Sequence, residues 1–251
     1  MLVTGGTAGI GRAIAEQCIA EDARTVIITG RDLTGAVRGD DIAAAISPQK
    51  AQFIRADHTS VDDCQNCVSA IIAQHGRIDV LCNNAGLVVQ GSAEDTSDQD
   101  WQDTFALNVT APWRMCKLVI PHMRAAGGGA IVNMGSDWAL VGAPAAVAYA
   151  SSKGALLQMT RCLAVDHARD RIRVNIICPG DTFVERWVED GYYRGSGSVS
   201  RAEALLHRGD IPLGRVADVR EIARATVFLM SDDSSYMTGS HLVVDGGNTA
   251  R

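Results

Sequence analysis

Short apolar runs alternate along this chain with stretches whose apolar residues recur every three or four positions. The runs fall at residues 1–4, 25–29, 51–55, 80–83, 130–134, 173–178 and 238–245. Each is too short for a helix and is bounded by glycine, asparagine or charge, which predicts a buried strand. The helical spacing falls at 12–20, 41–46, 61–75, 101–123, 149–166 and from Asp218 onward, where Asp218 is an expected N-cap. Pro112 is expected to kink the long helix over 101–123. Strands that alternate with helices predict a parallel sheet covered on both faces, and ligands of such sheets bind beyond the carboxyl ends of the strands. Gly5, Gly30, Asp57, Asn83 and Ser136 all close a predicted strand and so share that edge.

Composition narrows the class. A chain of 251 residues with 47% hydrophobic and 21% charged residues can bury one large α/β core. No repeat or linker divides it, so a single domain over 1–251 is expected. A net charge of −6 argues against a general nucleic-acid partner. No run approaches the roughly 18 apolar residues of a membrane span. The seven cysteines are scattered, which suits a reducing compartment, and a cytoplasmic protein is expected. Cys64 and Cys67 have redox spacing but lie in a predicted helix without a second pair, and no histidine has metal-ligand spacing, so no metal is expected.

Three stretches carry chemistry. The glycines of Gly5-Gly6-Thr7-Ala8-Gly9-Ile10-Gly11 lie between a strand and a helix. That arrangement cradles a phosphate, because glycine admits close backbone approach and the helix N-terminus offers N–H donors and a favourable dipole. At the end of the next strand, Gly30-Arg31 stands where an acid would bind a ribose 2′-OH and an arginine a 2′-phosphate, which favours NADP(H), with NAD(H) as the alternative because Asp32 follows. Tyr149 and Lys153 are four residues apart in a predicted helix and share a face. A free phenol titrates near about 10, and a close cation lowers that value by roughly 1–3 units, towards the range where general acid–base catalysis works. Ser136 ends a strand nearby, where its hydroxyl can donate to a substrate carbonyl.

Taken in order, the glycine turn, Asn83-Asn84-Ala85-Gly86, Asn108, Ser136, Tyr149-x-x-x-Lys153 and Pro179-Gly180 closely resemble the short-chain dehydrogenase/reductase family over nearly the whole chain. The resemblance implies a Rossmann-type, doubly wound sheet of about seven parallel strands with three helices on each side, and NAD(P)-linked interconversion of an alcohol and its ketone. It implies that Tyr149 is the general acid and base, that Lys153 holds the nicotinamide ribose and lowers the tyrosine pKa, that Ser136 polarises the substrate oxygen, and that Asn108 holds a water linking Lys153 to solvent. Gly5, Thr7, Gly9, Ile10 and Gly11 would then line the pyrophosphate and Asp57 the adenine. Asn83 to Gly86, with Asn83, Ala85 and Gly86 as the cofactor contacts, would line the adenine ribose and sheet edge. Pro179, Gly180 and Thr182 would meet the nicotinamide, and a homotetramer or homodimer is implied.

Several residues depart from the family pattern. Ala8 replaces a basic residue common in NADP-using members, and Val184 occupies a position where threonine is common. Asp137-Trp138 after the serine is a less usual pair, and Trp138 is expected to face the substrate. The segment at about 184–212, with Trp187, Tyr192 and Tyr193, is expected to form a substrate lid. A secondary, possibly cyclic, alcohol is the expected substrate. A 3-oxoacyl thioester reductase, a sugar dehydrogenase and a non-catalytic dinucleotide-sensing protein are the alternatives.

Overall fold

The structure is a computed structural model that describes residues 1–31, 38–184 and 211–250. Asp32, Trp187 and all but the ends of the expected lid lie outside the described residues.

Seven parallel strands form one sheet: β1 (Leu2–Val3), β2 (Val26–Gly30), β3 (Ala51–Arg55), β4 (Val80–Asn83), β5 (Gly129–Met134), β6 (Ile172–Pro179) and β7 (His241–Val244). Their order is β3-β2-β1-β4-β5-β6-β7, so the chain winds outward from β1 in both directions. Register turns the sequence alternation into layers. Leu2 lies opposite Ile27 and Leu81, and Leu81 opposite Ile131, forming one row across four strands. The next row is Ile28, Val3, Cys82 and Val132. Successive side chains of a strand point to opposite faces, and the two rows feed two different cores.

The first row packs under α3 (Val61–His75), α5 (Ala111–Ala125) and α6 (Val147–His167) through Cys64, Val68, Ile71, Met115, Val119 and Ala164. The second packs under α1 (Gly9–Ala20), α2 (Gly39–Ile46) and α7 (Val219–Met230) through Ile14, Ile42, Ile222 and Leu229. Among the described residues, three helices therefore cover each face, as the resemblance implies. Asp218 caps α7 as expected, with its side chain accepting from Arg220 N and Glu221 returning the bond to the Asp218 N–H. Arg173 gathers the carbonyls of Leu229, Met230, Ser231 and Ser234 at the other end of that helix. It lines a groove of about 1020 Å³ at the amino ends of the strands, opposite the glycine turn.

The long helix differs from its expected form. It begins as α4 (Asp98–Phe105), opens into a π-helical turn at Ala106–Thr110, and continues as α5. In the π turn the Ala111 N–H donates to Ala106 O, one residue further back than in an α-helix. The irregularity thus lies just before Pro112. Proline has no N–H, so the α-helical ladder has no donor for the carbonyl four residues earlier, that of Asn108.

Among the described residues no helix is long and apolar enough to cross a membrane.

Candidate active site

At the carboxyl end of β1, the chain turns through Gly5 and Gly9, both with positive φ (63° and 52°), into the N-terminus of α1. A Cβ on Gly5 would lie 2.9 Å from the Ala85 Cα, and one on Gly11 would collide with the Gly5 carbonyl. Only glycine permits this fold of the turn, and it leaves backbone exposed as a cradle for a phosphate. Thr4 and Asn84 hold it in place. Thr4 Oγ1 accepts from the N–H groups of Asn84 and Ala85, each at 3.0 Å. Asn84 Nδ2 donates to the carbonyls of Thr4 (3.0 Å) and Gly5 (3.1 Å). Thr4 is not among the residues the sequence points to, whereas Asn84 belongs to the expected Asn83–Gly86 motif. The doublet Asn83-Asn84 was the available signal, but it did not say which asparagine faces the turn. Asn83 faces inward: it is buried, and its amide donates to Asn133 Oδ1 at 2.9 Å. Its backbone, not its side chain, belongs to the sheet edge.

Thr7 packs beside Gly30, where a Cβ would lie 3.1 Å from Thr7 Oγ1. Arg31 follows on the surface. Asp57 closes β3 with Oδ1 accepting from Thr59 N (2.9 Å) and Thr59 Oγ1 (2.7 Å). The bond from Thr59 holds its carboxyl below the usual range, with Arg31 contributing in the same direction. Arg31 and Asp57 therefore sense one another at the edge of the cleft. Ile10 lies in the first turn of α1, packed against the second core.

The next group is built around Lys153. Its side chain is buried, and Nζ donates to Met134 O at 2.8 Å. The same ammonium lies 5.5 Å from the ring centroid of Tyr149. Burial lowers the lysine pKa to about 8, because a low-dielectric surrounding disfavours the charged form. Trp138 meets Tyr149 edge to face, with centroids 5.9 Å apart and planes at 83°. A Cβ on Gly86 would lie 3.3 Å from Asn108 Oδ1 and 3.6 Å from Lys153 Nζ, so the Asn84–Gly86 loop passes directly over both.

Asn108 is fully committed by its side chain. Oδ1 accepts from Leu87 N at 2.8 Å, and Nδ2 donates to Leu87 O at 2.8 Å and to Ser152 Oγ at 3.0 Å. Ser152 Oγ in turn donates to Tyr149 O at 2.7 Å. Any group that Asn108 offers to water is its backbone carbonyl, which the π turn and Pro112 leave without an α-helical donor.

Ser136 follows β5 and is buried; its Oγ donates to Asp137 Oδ1 at 3.0 Å and accepts from Trp138 N at 3.2 Å. Pro179 ends β6, and Gly180 follows it against the turn after β7, where a Cβ would lie 2.8 Å from the Asp245 Cα. Thr182 is buried, and its hydroxyl donates to Gly180 O at 3.0 Å, so that proton is turned into the backbone. Val184 is the residue that reaches the glycine turn: its Cγ1 lies 3.0 Å from a Cβ placed on Gly9. The residues expected to act together are therefore brought to one edge of the sheet, apart from Trp187, which is outside the described residues. Asn248, which reaches Asp137 Oδ2 at 2.9 Å, was not foreseen. Among the described residues no group of three or more metal-ligating side chains occurs.

A glycine turn at a helix N-terminus and a buried lysine beside a tyrosine ring thus lie at the carboxyl edge of one parallel sheet. Residues 5–249 match a family model described as "Enoyl-(Acyl carrier protein) reductase". A cyclopentanol dehydrogenase of Comamonas sp. (strain NCIMB 9872) is 39% identical, over 100% of this chain and 96% of its own length. An NAD-dependent glycerol dehydrogenase of Listeria innocua is 34% identical, over 100% of this chain and 93% of its own. A solved structure described as a short chain dehydrogenase/reductase family protein superposes with a TM-score of 0.84 at 37% identity, covering 100% of this chain and 97% of that one. The chain belongs to the short-chain dehydrogenase/reductase family, and it is an NAD(P)-dependent enzyme acting on CH–OH donors.

Proposed function

We propose that the chain interconverts a secondary alcohol, cyclic alcohols included, and its ketone, with Tyr149 exchanging the proton at the substrate oxygen. The observation that carries this reading is the buried Lys153 ammonium, tied to Met134 O and 5.5 Å from the tyrosine ring. A fixed cation beside a phenol favours the phenolate, which can take a proton from an alcohol and return it to a ketone. Ser136 donates to the same substrate oxygen once its proton leaves Asp137. Lys153 also holds the nicotinamide ribose, and the Asn108 carbonyl holds the water through which protons reach Lys153.

When bound, the cofactor supplies the hydride donor or acceptor. Gly5, Thr7, Gly9, Ile10 and Gly11 hold its pyrophosphate, Asp57 and the Asn84–Gly86 backbone its adenosine, and Pro179 and Gly180 its nicotinamide end. Thr182 supports Gly180 from beneath. NADP(H) is preferred over NAD(H), because Gly30 offers no carboxylate at the end of β2 and Arg31 stands exposed there for a 2′-phosphate. Trp138, edge-on to Tyr149, gives the substrate an apolar wall, which favours a ring such as cyclopentanol over a polyol such as glycerol. Exposed Trp101, Trp113 and Val165 on α4, α5 and α6 support association into a homotetramer. Seven free cysteines, six of them buried, are in keeping with a reducing cytoplasm.

The test is cofactor reduction measured with cyclopentanol, cyclohexanol, glycerol and threitol, each with NADP and NAD. Turnover of the cyclic alcohols is expected. Turnover of none of them, together with no reduction of the corresponding ketones, would reject the reading.

A further inference from the structure

Ser136 has one hydroxyl proton, and in this structure it is donated to Asp137. Asp137 is 4% exposed. A buried carboxylate is costly unless hydrogen bonds surround it, and three donors converge on this one. Ser136 Oγ (3.0 Å) and the Trp138 N–H (2.9 Å) meet Oδ1, and Asn248 Nδ2 (2.9 Å) meets Oδ2. Asn248 comes from the turn after β7, 111 residues further along the chain. That turn is itself braced. Asp245 accepts from Gly247 N, Thr249 N and Thr249 Oγ1 at 2.7–2.8 Å, and its backbone closes on Gly180.

We propose that Asp137 is a positioning residue that shares the Ser136 proton with the substrate oxygen, and that Asn248 sets how firmly Asp137 holds it. The proposal rests on the alcohol–ketone reading of the site. Carboxylate and substrate oxygen compete for one proton. When Ser136 turns to the substrate, the Trp138 N–H and the Asn248 amide stay on Asp137, so the acid is not left buried and unpaired. Without Asn248, Oδ2 loses its donor, and the remaining bonds on Oδ1, the serine's among them, are held harder. A protonated Asp137 no longer orients the serine hydroxyl, which is then free to turn away from the substrate oxygen.

The surroundings make such protonation accessible. Burial raises the Asp137 carboxyl above its usual range, and Asp181 acts in the same direction, whereas the bonds from Asn248, Ser136 and Trp138 N oppose it. Among the described residues, Cys178 on β6 also faces Asp137, its thiol pushed up to about 11 by burial, with Lys153 beyond it and Tyr149 against Trp138.

The experiment is the pH profile of kcat/KM for the intact enzyme, with an alcohol that the wild type oxidises, alongside the cofactor Kd and the melting temperature. The variants are Asn248→Ala, Asp137→Asn and the reciprocal pair Asp137→Asn with Asn248→Asp. The wild type should show a carboxyl ionisation on the acid limb. Asn248→Ala should move it to higher pH and lower kcat/KM at neutral pH about tenfold, with the cofactor Kd within about twofold. Asp137→Asn should abolish that ionisation. The reciprocal pair, which keeps a hydrogen bond between the two positions, should restore the melting temperature but not the wild-type limb. A wild-type profile in Asp137→Asn, in Asn248→Ala or in the reciprocal pair would overturn the proposal, as would losses that follow cofactor affinity alone. A wild type that turns over no alcohol would instead overturn the reading on which it rests.

Discussion

The Lys153 ammonium lies 5.5 Å from the Tyr149 ring centroid and is held there by the Met134 carbonyl, one β-strand away from its own helix. Its distance from the phenol is therefore set by the packing of α6 on β5, not by the flexibility of a lysine chain.

Tyr149→Phe should fold and bind cofactor like the wild type while losing about 10²–10⁴-fold in kcat, the usual contribution of a general acid–base. Lys153→Met should lose turnover and cofactor affinity together. The basic group seen in its pH–rate profile should move up towards about 10, since the phenol loses its cation. In the cofactor-free protein burial lowers the lysine pKa to about 8, so the charge-dependent part of its ribose binding should be present below that pH and fade above it. Steady-state kinetics and cofactor titrations from pH 6 to about 10 check both.

Arg31→Ala should erase a preference for NADP(H). A charge-assisted bond to a phosphate contributes about 1.5–3 kcal/mol, or at least tenfold in affinity. Comparing kcat/KM for the two cofactors in wild type and variant tests this, and a wild type that prefers NAD(H) would refute the assignment.

Asn84→Ala should weaken cofactor binding without touching the proton chemistry. The substitution removes the donors to the carbonyls of Thr4 and Gly5. Leaving such groups unsatisfied costs about 1–3 kcal/mol. The expected outcome is a higher cofactor Kd and a lower Tm with an unchanged pH–rate profile, read by fluorescence titration and thermal melting.

His58 should make the fold acid-sensitive. It is buried, its Nε2 lies 2.6 Å from Thr29 Oγ1, and burial lowers its pKa from 6.5 to about 4. A folded-state value below the unfolded one means that the unfolded chain binds the extra proton first. Stability is therefore full above about 6.5 and is lost as pH falls towards about 4, by roughly 3 kcal/mol for a shift of this size. Urea midpoints at pH 7, 5.5 and 4 should show that loss in the wild type. A double variant, Thr29→Val with His58→Leu, which removes both partners together, should show less of it.

The order of strands and helices, the glycine turn and the shared face of Tyr149 and Lys153 were all legible in the sequence. Each is a local pattern: a short continuous apolar run for a strand, apolar residues every three or four positions for a helix, four residues between two side chains on one helical face. The row Ile27-Leu2-Leu81-Ile131 came from the strand order and register of the folded sheet. Other features came from residues far apart in the chain. Asn84 reaches Thr4 across 80 residues and Asn248 reaches Asp137 across 111, and no periodicity announces such pairs. Likewise Pro112 marked an irregular helix, but only the packed structure set the π turn at Ala106–Thr110, where the Asn108 amide could bond Leu87 and Ser152. Hydrophobic periodicity fixes which face of an element is buried. Which polar groups then meet is decided when the elements pack and each buried donor must find an acceptor, and that is known only once the chain has closed on itself.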